Sequence, residues 1–290
     1  MNSFELTLII LGTAILFSFI AGAITRNYSH VDRLWSILPG VYALVWMGDY
    51  YKSPRYLIAA IIVIAWSVRL TTNFALKGGY SFSFKKGFYG EDYRWEILRQ
   101  KITNRFLFEI FNLFFISFYQ LALVFAITLP LYYYGQVTGP ISIYEIALFI
   151  IHALLLLTET IADYQQLKYY KMRSDKKYLS DKRVQLGFNT FGLWKYSRHP
   201  NYICEISQWI VVYLYLQVST GTFHLSALGS ILLLLLFIGS TKMAENITTS
   251  KYPPYKMWKK ATPPWIPFLD APMRAKNRKA FIKENNLENF

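Results

Sequence analysis

Two stretches of this chain set acid, amide and guanidinium groups at helical spacing within apolar sequence. Glu159, Asp163 and Gln166 fall at i, i+4 and i+7, and Asn201, Glu205 and Gln208 repeat that spacing with Arg198 one turn earlier. Each set occupies one face of a helix. A third face carries Trp66, Arg69 and Asn73, and Glu245 closes a later apolar run. Such groups are expensive at membrane depth and mark ligand sites or ion paths. The bland alternative is snorkelling or paired residues at helix ends, which suits a single residue such as Asn73. Three faces near one depth favour a polar ligand pocket. His152 reads as structural, His224 as interfacial and Cys204 as packing. The four scattered histidines and one cysteine offer no metal-ligand spacing and no disulfide framework.

The elements that must position these groups are membrane spans. The 290 residues are 54% hydrophobic and 18% aromatic with mean hydropathy +0.24, above the apolar share of about 45–50% usual for soluble domains. Seven apolar segments are long enough, or nearly so, to cross a bilayer: 5–24, 34–50, 56–76, 106–130, 141–166, 203–219 and 224–241. The first reads as a span, not a removable signal. The expectation is an all-α polytopic membrane protein of about seven transmembrane helices, one domain over 1–268 and a polar, flexible tail over 269–290.

Charge sets the orientation. The net charge is +14, and the Lys/Arg residues lie in blocks between the apolar runs: seven in 77–105, nine in 168–202 and ten in 242–290. The loops 131–140 and 220–223 hold none. This is the pattern of membrane topology, not of nucleic-acid binding. It places the rich loops and the C-terminus in the cytosol, with an endoplasmic reticulum location, or the inner membrane in a bacterium. Basic loops also contact anionic lipid, and their arginines suit cofactor phosphates. There is neither a GxGxxG nor a GxxxxGK[ST] stretch, so a nucleotide must bind within the helical bundle.

With these residues placed, "GLWKYSRHPNYICE" at 192–205 resembles the GLWxxSRHPNYxxE signature of the DUF1295 membrane proteins, relatives of the steroid 5-alpha-reductases and sterol reductases. "DRLWS" at 32–36, "IAWSVRL" at 64–70, "EDYRWEILR" at 91–99, "ETIADYQQ" at 159–166 and "KYPPYKMW…PPWIPF" at 251–268 extend the likeness over most of the chain. The resemblance implies a steroid 5-alpha-reductase-like bundle. It would hold NADPH and reduce a carbon–carbon double bond beside a carbonyl in an unsaturated lipid or sterol-like substrate. It implies cofactor contacts from Glu159, Asp163, Asn201, Glu205, Arg69 and Arg94, with Glu245 beside them. Arg198, His199 and Tyr252 lie within the matching motifs and join the cofactor set. The reductases' carbonyl-polarising glutamate and tyrosine do not carry over: Ser36–Ile37 and Trp66 stand near those places.

Enone reduction needs an acid near the carbonyl oxygen, worth about 10²- to 10⁴-fold in rate. A buried carboxylate has a raised pKa, so Asp32 and Glu159 are candidates beside the Tyr202 phenol. The alternatives are an S-adenosylmethionine-dependent methyltransferase of the isoprenylcysteine carboxyl methyltransferase type, which shares an RHPxY motif, and a catalytically lapsed binding protein. The basic loops favour a phosphorylated cofactor, and the absence of a repeat speaks against a transporter. Partners are then the bilayer and a small lipid; the sequence sets no oligomeric state.

Overall fold

The computed structural model describes residues 1–83, 87–267 and 271–287. Its helices are α1 (Ser3–Thr25), α2 (His30–Tyr50), α3 (Pro54–Leu76), α4 (Tyr93–Lys101), α5 (Arg105–Phe111) and α6 (Gln120–Gly135). There follow α7 (Ile143–Ser174), α8 (Lys182–Gln185), α9 (Pro200–Thr220), α10 (Ala227–Lys251), α11 (Tyr255–Ala261) and α12 (Ala271–Glu284). A π-helical segment, Asn112–Tyr119, joins α5 to α6, and one antiparallel pair matches Phe82 to Phe88 and Ser83 to Gly87.

Helices stand at all seven sequence-derived spans. Among the described residues, five are both long and apolar enough to cross a membrane: α1, α3, Arg105–Gly135, α7 and α10. The two 21-residue helices α2 and α9 have the length for a span. Asp32 and Arg33 in the one, and Asn201, Glu205 and Gln208 in the other, lower their apolar content. Large side chains such as Phe17, Ile20, Ile61, Phe106, Leu154, Leu157 and Leu235 are exposed along the apolar helices. In water that surface would be a liability; a bilayer covers it. The chain is an integral, multi-pass helical membrane protein.

The chain divides into two compact units, one of 1–153 and 209–233, the other of 154–208 and 234–290. In the first, α2 and α3 approach closely at Gly40, where an added Cβ would meet Ser67 Cβ and Oγ at 2.9 Å. Pro39 interrupts the helix ladder of α2, and the Gly40 N–H donates to Ser67 Oγ at 2.8 Å. Small residues with an interhelical hydrogen bond are how apolar helices associate without a solvent driving force. The π segment buries Asn112 and Ser117. Asn112 Nδ2 donates to Glu109, and Ser117 Oγ lies 3.2 Å from Ser18 Oγ. Arg55 and Glu145, both buried, pair at 3.1 Å, and Tyr134 donates to the same carboxylate. His152 is structural: its Nδ1 lies 2.8 Å from the Tyr215 hydroxyl.

In the second unit a separate core of Leu186, Phe188, Tyr255, Trp258, Ala261, Phe281 and Leu287 joins α11 and α12 to the segment after α8. Residues 271–284 of the stretch expected to be a flexible tail thus form a helix, anchored by fully buried Phe281. Between Arg274 and Lys279 all but one residue is Lys, Arg or Asn, so the apolar periodicity is weak and composition favours a loose tail.

Candidate functional site

All but three of the sequence-derived site residues belong to the second unit. Its frame is the C-terminal half of α7 and the loop leading into α9. Gly192, at φ 58°, turns the chain so close to Gln165 that an added Cβ would sit 2.4 Å from that side chain. Gln165 Oε1 accepts from the Leu193 N–H, Trp194 Nε1 donates to Ala162 O, and Asn189 Nδ2 donates to Gln166 Oε1. Gln166, a member of the polar face, therefore serves the loop. The entrance of α9 is fixed by the proline pair at 263–264, whose carbonyls accept from the N–H groups of Arg198 and His199 and from Ser197 Oγ. Pro200 then occupies the first helical position, where its missing N–H costs nothing.

The two polar faces meet as a ladder. Asn201 Nδ2 donates to Asp163 Oδ1 at 3.3 Å, and Gln208 Nε2 donates to Glu159 Oε2 at 2.6 Å. Glu159, Asp163, Glu205 and Gln208 are buried. The amide nitrogens face carboxylates, which fixes the orientation of both amides. Their carbonyl oxygens, Asn201 Oδ1 and Gln208 Oε1, are buried and accept no hydrogen bond among the described residues. Buried polar atoms are nearly always satisfied, so these two acceptors mark places for donors.

A second cluster gathers on Glu245. Arg198 Nε donates to Oε1 at 2.6 Å, His199 Nε2 lies 3.2 Å from the same oxygen, and Lys259 Nζ lies 3.3 Å from Oε2. Arg198 Nη1 also donates to the carbonyls of Lys259 and Thr262. Arg198 and Glu245 are buried. The expectation that Arg198, His199 and Glu245 contact a cofactor meets a competing demand, because these groups are spent on one another and on the chain ends beside α11. They act as struts that hold the start of α9. Tyr252 similarly accepts from Arg173 at 2.8 Å and packs on Gly187, whose φ of 84° favours glycine and where an added Cβ would meet the Tyr252 ring at 2.2 Å. Tyr202 stacks on His199 at 4.9 Å and meets Phe237 edge-on.

The other three residues belong to the first unit. Asp32, in the turn of α2 ahead of its apolar run, accepts from Trp95 Nε1 at 2.9 Å and lies 3.6 Å from Arg94. Burial pushes its carboxyl above the usual carboxylate range against the opposing pull of Arg94 and the Trp95 N–H. Arg94 makes its closer pair with Asp92, at 2.8 Å. Arg69 is half-buried on α3, one turn from buried Trp66. The sequence did not single out Arg33, which donates to Gly79 O and Gly90 O at 2.7 Å each. Its only signal in the sequence was an arginine beside an acid at the start of an apolar run. Among the described residues no group of three His, Cys, Asp or Glu could hold a metal.

The fold and the ladder define a polytopic helical membrane protein with a buried amide–carboxylate site. The chain belongs to the DUF1295 family, described as proteins of unknown function, whose model matches residues 18–262. It is 31% identical to an uncharacterised Schizosaccharomyces pombe protein, over 88% of this chain and 79% of that one. No solved structure matches.

Proposed function

We propose that the chain is an NADPH-dependent membrane reductase that saturates a carbon–carbon double bond beside a carbonyl in a lipid or sterol-like substrate. The observation that carries this reading is Asn201. Its nitrogen is committed to Asp163 and its buried oxygen lacks a donor. A carboxamide N–H or a ribose hydroxyl is the complement of such an acceptor, and a nicotinamide nucleotide offers both. Asn201, with Asp163 across from it and Glu205 one turn on, would hold the nicotinamide end. The resemblance of "SRHPNYICE" and "ETIAD" to the reductase motifs supports the same three residues. Arg198, His199 and Glu245 keep the start of α9 in place for them.

NADPH, when bound, supplies a hydride to the carbon beta to the carbonyl. Charge then develops on the carbonyl oxygen, and an acid there lowers the barrier. The Tyr202 phenol is this unit's candidate acid, because Glu159 is committed as the acceptor of the Gln208 amide. The basic stretches and the C-terminus face the cytosol by the positive-inside rule, in an endoplasmic-reticulum-type membrane or a bacterial inner membrane, where NADPH has access.

The test is a thermal-shift titration of the detergent-purified chain with NADPH, NADH and S-adenosylmethionine. NADPH stabilises the parent, and Asn201→Ala or Glu205→Ala loses that shift while still melting in a single cooperative transition. A shift from S-adenosylmethionine instead, or undiminished NADPH binding by both variants, overturns the reading.

A further inference from the structure

Gln208 carries a second unpaired acceptor for which the cofactor gives no account. The residue is 1% exposed. Its Nε2 lies 2.6 Å from Glu159 Oε2 and 3.3 Å from the Cys204 carbonyl. Exchanging nitrogen and oxygen would set the amide oxygen against a carboxylate and a carbonyl, so the orientation is fixed by its neighbours. Oε1 is therefore left as a buried acceptor with no hydrogen bond among the described residues.

Position separates this acceptor from that of Asn201. Seven residues on one helical face put Gln208 about 10.5 Å further along α9, more than one nicotinamide ring spans. Its neighbours there are the buried Glu159 carboxylate and the carbonyl of buried Cys204. A cationic donor would be drawn to the Glu159 carboxylate, which leaves a neutral O–H as the natural complement of the amide oxygen.

We infer that Gln208 is a specificity-determining residue that accepts a hydrogen bond from a hydroxyl on the lipid substrate. This rests on the reductase reading for which part of α9 the cofactor occupies. Sites built to accept from a substrate hydroxyl discriminate strongly against analogues lacking it, because the acceptor is then left buried and unpaired. The substrate class is accordingly an unsaturated ketone lipid that also bears a free alcohol.

The experiment uses the purified full chain with saturating NADPH. The probes are positional isomers of hydroxylated enone sterols and hydroxylated long-chain enones, each beside its methyl ether. At least one alcohol should stabilise the parent at a concentration about tenfold or more below its ether. Gln208→Met should abolish that preference and retain the shift produced by NADPH alone. Gln208→Asn, which withdraws the amide by one methylene, serves if the Met variant folds poorly, and the parent's alcohol–ether comparison stands without either. Equal binding of alcohols and ethers, no binding by any alcohol, or a preference that survives Gln208→Met overturns the inference; the last two would leave a buried water as the partner of Oε1. An alcohol preference carried by Gln208 in a protein that NADPH does not stabilise overturns the reductase reading alone.

Discussion

Gln208 Nε2 stands 2.6 Å from Glu159 Oε2, and both side chains are buried. This bond ties α9 to α7 at the deeper rung of the ladder. Glu159→Ala removes the acceptor and leaves the Gln208 amide short of a partner, a loss of about 1–3 kcal/mol. Glu159→Gln keeps a neutral acceptor and loses less. Chemical denaturation in detergent distinguishes them. An alanine variant as stable as the parent would show that the rung carries no stability.

Glu245 is the single carboxylate around which Arg198, His199 and Lys259 gather within 3.3 Å. Glu245→Ala strands a buried guanidinium without its counter-charge, and breaking a buried pair in this way costs about 3–5 kcal/mol. Lys259 is more exposed than Arg198, so Lys259→Ala should lose less than 1 kcal/mol or so. Melting temperatures of the two variants order the contributions. Equal effects would mean that Arg198 finds other acceptors.

The ladder and the Glu245 cluster divide what the sequence could reveal from what it could not. The i, i+4, i+7 spacing identified the polar faces, and the apolar runs located the long helices. Spacing on one helix names no partner on another, however. Glu245 and Arg198 lie 47 residues apart, and nothing local pairs them. Gln166 shares the face of Glu159 and Asp163 yet bonds Asn189 of the loop. The resemblance pointed to Asn201, but the orphaned oxygen of Gln208 is legible only once its nitrogen is seen to be committed. Helix α12 escaped because its single deep anchor, Phe281, follows a run of Lys, Arg and Asn that carries no clear apolar periodicity.

His30 supplies a pH prediction. It is buried in the first turn of α2, with its Nε2 3.2 Å from Thr25 Oγ1 and its Nδ1 3.3 Å from Arg33 Nη1. Arginine can only donate, so Nδ1 accepts and the ring is neutral with its proton on Nε2. Burial first, then Arg33, pushes the pKa down to about 4 from 6.5. Between those values the unfolded chain binds a proton that the folded chain refuses, so stability rises with pH across that window. Stability present above pH 6.5 is lost as pH falls toward 4, by at most about 3 kcal/mol. His30→Gln should flatten that part of the profile. An unchanged slope in the variant assigns it to other groups.

Phe281 is fully buried against Phe188 and Trp258, with ring centroids 6.4 and 5.0 Å away. Around it, Asn277 donates to Lys260 O and Arg278 donates to Lys195 O, so α12 also caps carbonyls in the last turn of α11 and before α9. Those carbonyls can turn to water if the helix leaves; the aromatic cavity cannot be refilled. Phe281→Ala should therefore destabilise the α11–α12 core by about 3–5 kcal/mol. Sub-global opening of that core exposes the basic chain, and trypsin should cut near Lys276–Lys283 much faster than in the parent, with the membrane helices left intact. Cleavage at the parent's rate in the variant would mean that α12 is held by its polar caps and not by its one aromatic anchor.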